Sequence, residues 1–333
     1  MKKFFSIFFV SFALVFSTSS YANKIGVIYD SGGKFDKSFN ELAYNTAVRV
    51  QDELGWDMIE FEAANNTQIE QGMRKVADRG ATLVVAMGFA QADAVAAIAP
   101  QYPDVNFVAV DVCWVDDPAG NIYQACYLEH EGSFLVGVIA AMASKTGTIG
   151  FVGGMDIPLI RKFQGGYEQG ALYANPDIKI LANMTGTTPE AWNNPTKGAE
   201  LTKAQIDGGA DVVYQAAGGT GIGVYQAAAD EGKLAIGVDS NQNHLQPGTM
   251  LTSMLKRVDL ATYETFMDVK SGNFTSGVKV LGLKEDGVGW AYDKHNKSLI
   301  TDVMKSTING LSDKVKSGAI KVHDYMSDNN CPA

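Results

Sequence analysis

Short β-rich runs alternate with helix-length amphipathic stretches along almost the whole chain, and this alternation restricts the fold more than any other feature. The runs KIGVIYD, DMIEFEA, TLVVAMG and VNFVAVD come first, followed by TGTIGFVGG, IKILANM, ADVVYQAA and KLAIGVD. Helix-length segments such as 39–54 and 69–79 lie between them. Apolar strands joined by helices imply parallel sheets covered on both faces. Ser38 with Glu41, and Thr67 with Glu70, have the spacing of capping boxes. Asn194-Pro195 reads as an N-cap followed by proline at the first helical position. No Pro- or Gly-rich linker divides the 333 residues. Two βα sets therefore form either one very wide sheet or two lobes joined by crossing strands, and at this length two lobes are favoured.

In doubly wound sheets, ligands sit beyond the C-terminal ends of the strands. The tips here present Asp30, Gly88-Phe89 and Asp111, then Tyr214 with its Gly-rich loop, and Asp239. The first tip opens the loop IYDSGGKFDKSFNEL. A P-loop needs Gly-Lys followed by Ser or Thr, but Gly33-Lys34 is followed by Phe35. Asp30 and Asp36 do not make a calcium loop, which needs regularly spaced acids and a twelfth-position Glu. What remains is a turn that presents Phe39, a flat ring, and Asn40, which offers donors and an acceptor. Alone, such a pair reads as core packing and backbone bonding.

The segment from Tyr214 to Asp239 imitates a dinucleotide fingerprint: a strand, a Gly-rich turn, a helix and an acid at the next strand tip. Gly219 and Gly221 fit, but Val224 holds the third glycine position. Asp156 and Arg161 are placed to pair and fix a loop. Trp192, before a helix, is equally suited to stacking on a ligand and to covering a hinge. Lys256 follows a strand and precedes a helix; a lone lysine usually reads as surface charge. There is no G-x-S-x-G elbow and no H-E-x-x-H, and the four histidines are scattered. His130 lies between two glutamates without a second histidine. The chain reads as a binder, not an enzyme, and no cofactor or metal is called for.

Lys2 and Lys3, the apolar run 4–16 and the ending Ser20-Tyr21-Ala22 make a secretory signal peptide of 1–22. The mature chain is then exported and, in a two-membrane bacterium, periplasmic. No cysteine lies near the cleavage point, so lipid attachment is not indicated. Cys113 and Cys126 are either bridged or two buried thiols, while Cys331 lies in a polar tail. A net charge of −10 argues against nucleic acid and anionic membrane surfaces as partners.

Taken together, DSGGKFDKSFNE, EHEGSFLVG, GGMDIPLIRKFQGGYEQGA, NPTKGAELTKAQIDGGADVVYQAAGGTGIG and IGVDSNQ resemble, in order, the basic membrane protein family of ABC-importer substrate-binding proteins, and most of all its purine nucleoside receptor branch. The resemblance implies an α/β, type I periplasmic-binding-protein fold: two doubly wound parallel-sheet lobes joined by a three-stranded hinge. The lobes are expected at 23–129 plus 243–279, and at 130–242 plus 280–333. It further implies that Phe39 and Tyr214 sandwich a purine, that Asn40 and Asp111 read the base edge, and that Asp30 borders the base. Asp239 and Lys256 would bind ribose hydroxyls, with Gly219 lending backbone. The implied partners are a purine nucleoside and the transmembrane subunits of an ABC permease. Another small ligand on the same fold, or a nucleotide-dependent oxidoreductase built on the Gly-rich turn, are the competing readings.

Overall fold

The computed structural model describes residues 23–63 and 65–331. The segment read as a signal peptide lies outside the described residues. The strands are, in chain order, β1 (Lys24–Tyr29), β2 (Asp57–Glu62), β3 (Leu83–Met87), β4 (Asn106–Val110), β5 (Ile122–Tyr127), β6 (Thr148–Met155), β7 (Lys179–Gly186), β8 (Val212–Ala216), β9 (Leu234–Asp239), β10 (Met250–Lys256), β11 (Gly277–Leu281) and β12 (Val288–Trp290). The helices are α1 (Phe39–Leu54), α2 (Ile69–Asp78), α3 (Ala92–Ile98), α4 (Glu129–Ala143), α5 (Pro158–Ala174), α6 (Pro195–Asp207), α7 (Gly221–Asp230), α8 (Val258–Ser271) and α9 (Asp302–Lys316).

The strands form two six-stranded sheets, ordered β11-β5-β4-β3-β1-β2 and β12-β10-β9-β8-β6-β7. Among the described residues every pairing is parallel except that of β10 with β12. β1, β3 and β4 are buried almost throughout, as the continuous apolar runs require of strands covered on both faces. The two sheets share one order, strand for strand, so the chain builds the same unit twice.

The chain crosses between the units three times: from β5 to α4, from β10 to α8, and from β11 to β12. The crossings are bonded to one another. Leu128 N donates to Leu281 O at 3.0 Å, Arg257 N to Gly287 O at 2.8 Å, and Leu283 N to Glu131 Oε2 at 2.7 Å. The expected lobe boundaries need correction here. β10, placed by the sequence in the first lobe, pairs with β9 in the second sheet, and Val280 and Leu281 belong to the first sheet. Only residues after Arg257 return to the first lobe, where α8 packs on α1. An apolar strand carries no mark of which sheet it will join.

Two helices in the second lobe approach closely enough to fix the site. A Cβ at Gly137 of α4 would lie 2.2 Å from Tyr167 O of α5, and one at Gly170 of α5 would lie 2.0 Å from Phe134 O. Glycine at these contacts lets the backbones touch. It also sets α5, with Lys162 and Phe163 in its first turns, against the hinge.

Cys113 and Cys126 are bridged, with Cα atoms 5.8 Å apart, and Cys331 is free. The bridge closes the β4–β5 loop just beyond Asp111. Replacing both bridged cysteines with serine should lower stability by about 3 kcal/mol, the loop-closure value for this length. Chemical denaturation under non-reducing conditions measures this; an unchanged midpoint would show that the loop is ordered without the bridge.

Candidate ligand-binding site

The loop after β1 is held by its own acids. The Asp30 carboxylate accepts from Gly32 N at 2.8 Å and from Asn40 Nδ2 at 2.6 Å. Asp36 accepts from the backbone N–H groups of Ser38, Asn40 and Glu41 at 2.8, 2.9 and 3.1 Å. Asp36, not Ser38, therefore caps α1, which corrects the capping box read from the sequence. The Thr67–Glu70 box is also not made: Thr67 Oγ1 bonds Asn65 Oδ1. Asn194 does cap α6, accepting from Lys197 N at 3.0 Å. Burial pushes the Asp30 and Asp36 carboxyls up, Asp36 to about 8, against the pull of these donors.

Freed from capping, Ser38 faces the other lobe. Its Oγ lies 2.6 Å from Asp239 Oδ2, to which it donates, and 3.2 Å from Val238 O. Lys37 O accepts from Ser240 Oγ at 2.9 Å and from Gln242 Nε2 at 2.7 Å. The two lobes are thus closed on each other at this edge of the cleft.

A cavity of about 60 Å³ lies between them. From the first lobe it is lined by Asp30, Phe39, Gly88, Phe89 and Asp111, and from the second by Trp192, Asp239 and Lys256. All eight were singled out in the sequence. Three other candidates are elsewhere. Tyr214 is fully buried, its ring 5.1 Å from Tyr167 and its hydroxyl 3.3 Å from Ser133 Oγ, so it belongs to the core. Asn40 is fully buried and spends its amide on Asp30 and Asp36. Gly219 lies beside the cavity wall, near Gly32 O and Trp192 O. Asp111 lines the cavity with its carboxylate on Lys256. Trp192 lines the cavity, whereas Tyr214 does not. Trp192 can do so because β6 has Gly154, where a Cβ would fall 2.2 Å from the indole.

The sequence reading missed Phe163, Ile160 and Leu159, which α5 brings into the wall. Their signal was available: they occupy the first turns of a helix that follows a strand tip. It also missed Asp36. The glycines of the dinucleotide-like turn serve packing. A Cβ at Gly221 would meet the Gln215 side chain at 2.3 Å, and one at Gly223 would meet Pro195 O at 1.8 Å. The Asp156–Arg161 pair forms at 2.8 Å on the surface.

Lys256 is the electrostatic centre. Its Nζ lies 2.6 Å from Asp111 Oδ1 and 3.0 Å from Glu129 Oε1, and 5.1 Å and 5.6 Å from the centres of the Phe39 and Phe163 rings. Asp111 and Asp239 have φ of 63° and 62°, a left-handed conformation that Asp tolerates better than most residues. Burial alone would lower the Lys256 ammonium; Asp111, Glu129 and Asp239 more than reverse this and hold it above its ordinary value. Burial raises Asp111 to about 6, and raises Asp239 as well. Burial also acts to raise Glu129, but Lys162 and Lys256 outweigh it and hold that carboxyl down at about 2.

A family model described as "ABC transporter substrate-binding protein PnrA-like" matches residues 22–325. The chain belongs to this family. Basic membrane protein A of Borreliella burgdorferi is 33% identical over 316 residues, covering 93% of this chain and 90% of that protein. An uncharacterised lipoprotein of Pyrococcus furiosus is 35% identical over 281 residues, covering 80% and 69%. The crystal structure of an ABC transporter solute-binding protein from Aeropyrum pernix superposes with a TM-score of 0.82 at 28% identity, covering 91% of this chain and 93% of that one. The family implies a small ligand and a permease partner. Among the described residues no helix is long and apolar enough to cross a membrane.

For a substrate-binding protein the closed geometry has a consequence. Ligand pockets generally run to about 300–1,000 Å³, so the cleft admits a solute only by parting the lobes at the three crossings. Two outcomes test the charge network. Lys256→Met should cost about 3–5 kcal/mol, because it leaves buried carboxylates without a partner, and adding Asp111→Leu should recover part of that. Equal additive losses in a denaturation cycle would overturn this.

His130, buried beside Lys162 and Asp324, is pushed down to about 4, by burial first and by the Lys162 charge next. The unfolded imidazole titrates near 6.5, so the unfolded state binds more protons between these values. The His130 contribution is therefore complete above about pH 6.5 and lost as pH falls through 4. The stability gap between wild type and His130→Asn should change over that window, measured by thermal melts, and stay flat above it.

Proposed function

We propose that this substrate-binding protein takes up a purine nucleoside between its lobes and presents it to the permease. One observation carries the reading. Aromatic side chains from both lobes, Phe39 and Phe89 from the first and Trp192 and Phe163 from the second, line the same narrow cavity, which Asp111, Lys256 and Asp239 also line. Flat rings on both sides suit a flat base. Carboxylates and an ammonium together suit a vicinal diol, whose hydroxyls both donate and accept. In this pose Phe39 and Trp192 sandwich the purine, and Asp30, with Gly32, borders the base. Asp239 and Lys256 hold the ribose hydroxyls, with Asp111 fixing the Lys256 ammonium.

The magnitudes agree with such a ligand. Micromolar affinity needs about −8 kcal/mol. Two aromatic stacks contribute about 0.5–1.5 kcal/mol each beyond area burial. Hydrogen bonds to charged groups contribute about 1.5–3 kcal/mol each. Burial of the remaining apolar surface on closure accounts for the rest. The acids that surround Lys256 leave it no spare charge for a phosphate, which favours neutral nucleosides over nucleotides.

Closure links binding to delivery. Ser38 reaches Asp239 only when the lobes are together, so an Asp239 that is anchored by ligand also favours the closed form. We further propose export through cleavage after Ala22 and a free periplasmic location.

The purified mature protein should show a rise in melting temperature with adenosine, guanosine or inosine. Phe39→Ala, Trp192→Ala and Asp239→Ala should remove that rise, whereas Tyr214→Phe should keep it. Binding of a hexose in place of nucleosides, or nucleoside binding untouched by the first three changes, would sink the assignment.

A further inference from the structure

A second, larger cavity opens from the sugar end of the cleft. It measures about 570 Å³ and shares Phe89, Asp111 and Leu159 with the inner cavity. Its outer walls come from three parts of the chain. Trp114 and the exposed faces of Val278 and Val280 on β11 form one side, Ile157 and Pro158 another, and Met326 of the C-terminal tail the third. The tail is held in place by a reciprocal pair: His323 N donates to Gln169 Oε1 at 2.8 Å, and Gln169 Nε2 to His323 O at 3.0 Å.

The polar groups of this cavity are held mainly by one another, although Asp111 Oδ1 and Glu129 Oε2 accept no hydrogen bond. Lys162 Nζ lies 2.7 Å from Tyr127 O, 3.0 Å from Glu129 Oε2 and 3.5 Å from Asp324 Oδ2. Apolar walls over an ion cluster in which carboxylates outnumber lysines accept an apolar group and repel an anion.

Which part of a ligand would reach it follows from the lining. Asp30, Gly32 and Asp36, at the base end, border the inner cavity and not the outer one. Asp239 and Lys256, assigned to the vicinal hydroxyls, also border only the inner one. The outer cavity meets the inner one at Phe89, Asp111 and Leu159, and Asp111 is bound to Lys256, so in the pose proposed above the sugar atom turned toward this junction is the 5′ carbon.

We propose that this cavity is an annex of the binding site and accepts a neutral, apolar substituent on the 5′ carbon of a nucleoside. The proposal rests on the nucleoside reading above and narrows it to a ligand class: 5′-extended, uncharged nucleosides.

Calorimetry with adenosine, adenosine 5′-monophosphate and 5′-butylthio-5′-deoxyadenosine tests it. The butylthio compound should bind at least as tightly as adenosine, and the monophosphate should bind more weakly than either. Val280→Asp and Trp114→Ala, both on the outer wall and half or more exposed, should weaken the butylthio compound about tenfold, or about 1.4 kcal/mol. Adenosine should change by less than about twofold in both. The emission of Trp114 should shift to the blue with the butylthio compound and not with adenosine, and that shift should vanish in Trp114→Phe.

Adenosine binding with the butylthio compound more than about tenfold weaker, or unaltered butylthio affinity in both wall variants, overturns the annex and leaves the nucleoside reading standing. A monophosphate that binds more tightly than adenosine overturns the claim of a neutral substituent. Failure of all three compounds to bind overturns both readings.

Discussion

Lys256 is a fully buried cation that can exist only because acids from separate parts of the chain converge on it. Asp111 comes from the tip of β4 in the first lobe, Glu129 from the crossing into α4, and Asp239 from the tip of β9 in the second lobe. An isolated buried ammonium would be strongly penalised, and so would the carboxylates without it. The network therefore couples the positions of both lobes and one hinge crossing to a single charge balance. It extends through Glu129 to Lys162 and Asp324, which ties the C-terminal tail to the same balance. Such a network contributes modest net stability, but it is sensitive to geometry, and a cleft that must choose between open and closed benefits from that sensitivity.

The duplicated topology explains why the site lies where it does. β4 and β9 hold equivalent places in the two sheets, and each ends near an aspartate with φ close to +62°. Strain of this kind concentrates at functional positions. The duplication is broken where the lobes meet. β11 joins its sheet parallel to β5, whereas β12 runs antiparallel to β10, so the last crossing returns along the hinge. Both are edge strands, and β11 carries two exposed valines beside the outer cavity.

Much of the fold could be read directly. The eight β-rich runs of the sequence are strands β1–β4 and β6–β9, and the tips Asp30, Gly88, Phe89, Asp111 and Asp239 were located by the rule that ligands sit at strand ends. The errors share one cause: a residue's neighbours in sequence do not reveal its neighbours in space. Ser38 has a capping spacing, but Asp36 is better placed for α1 and Ser38 bonds across the cleft. Tyr214 leads into the Gly-rich turn, yet strand alternation points it inward onto Tyr167. β10 reads as an ordinary apolar strand, and only its register with β9 puts it in the second lobe.

The sequence alone determined the βα alternation and placed several residues at the cleft, because local periodicity and strand-end chemistry are written in adjacent residues, and its ordered motifs carried the family resemblance. The tertiary structure decided which side chains face each other across the lobes. Trp192 lining the cleft while Tyr214 packs in the core, Asp111 paired with Lys256, Ser38 held on Asp239 and the second cavity beside the first all depend on contacts between segments far apart in the chain. Such contacts arise from packing and charge balance, for which no single stretch of sequence carries a signal.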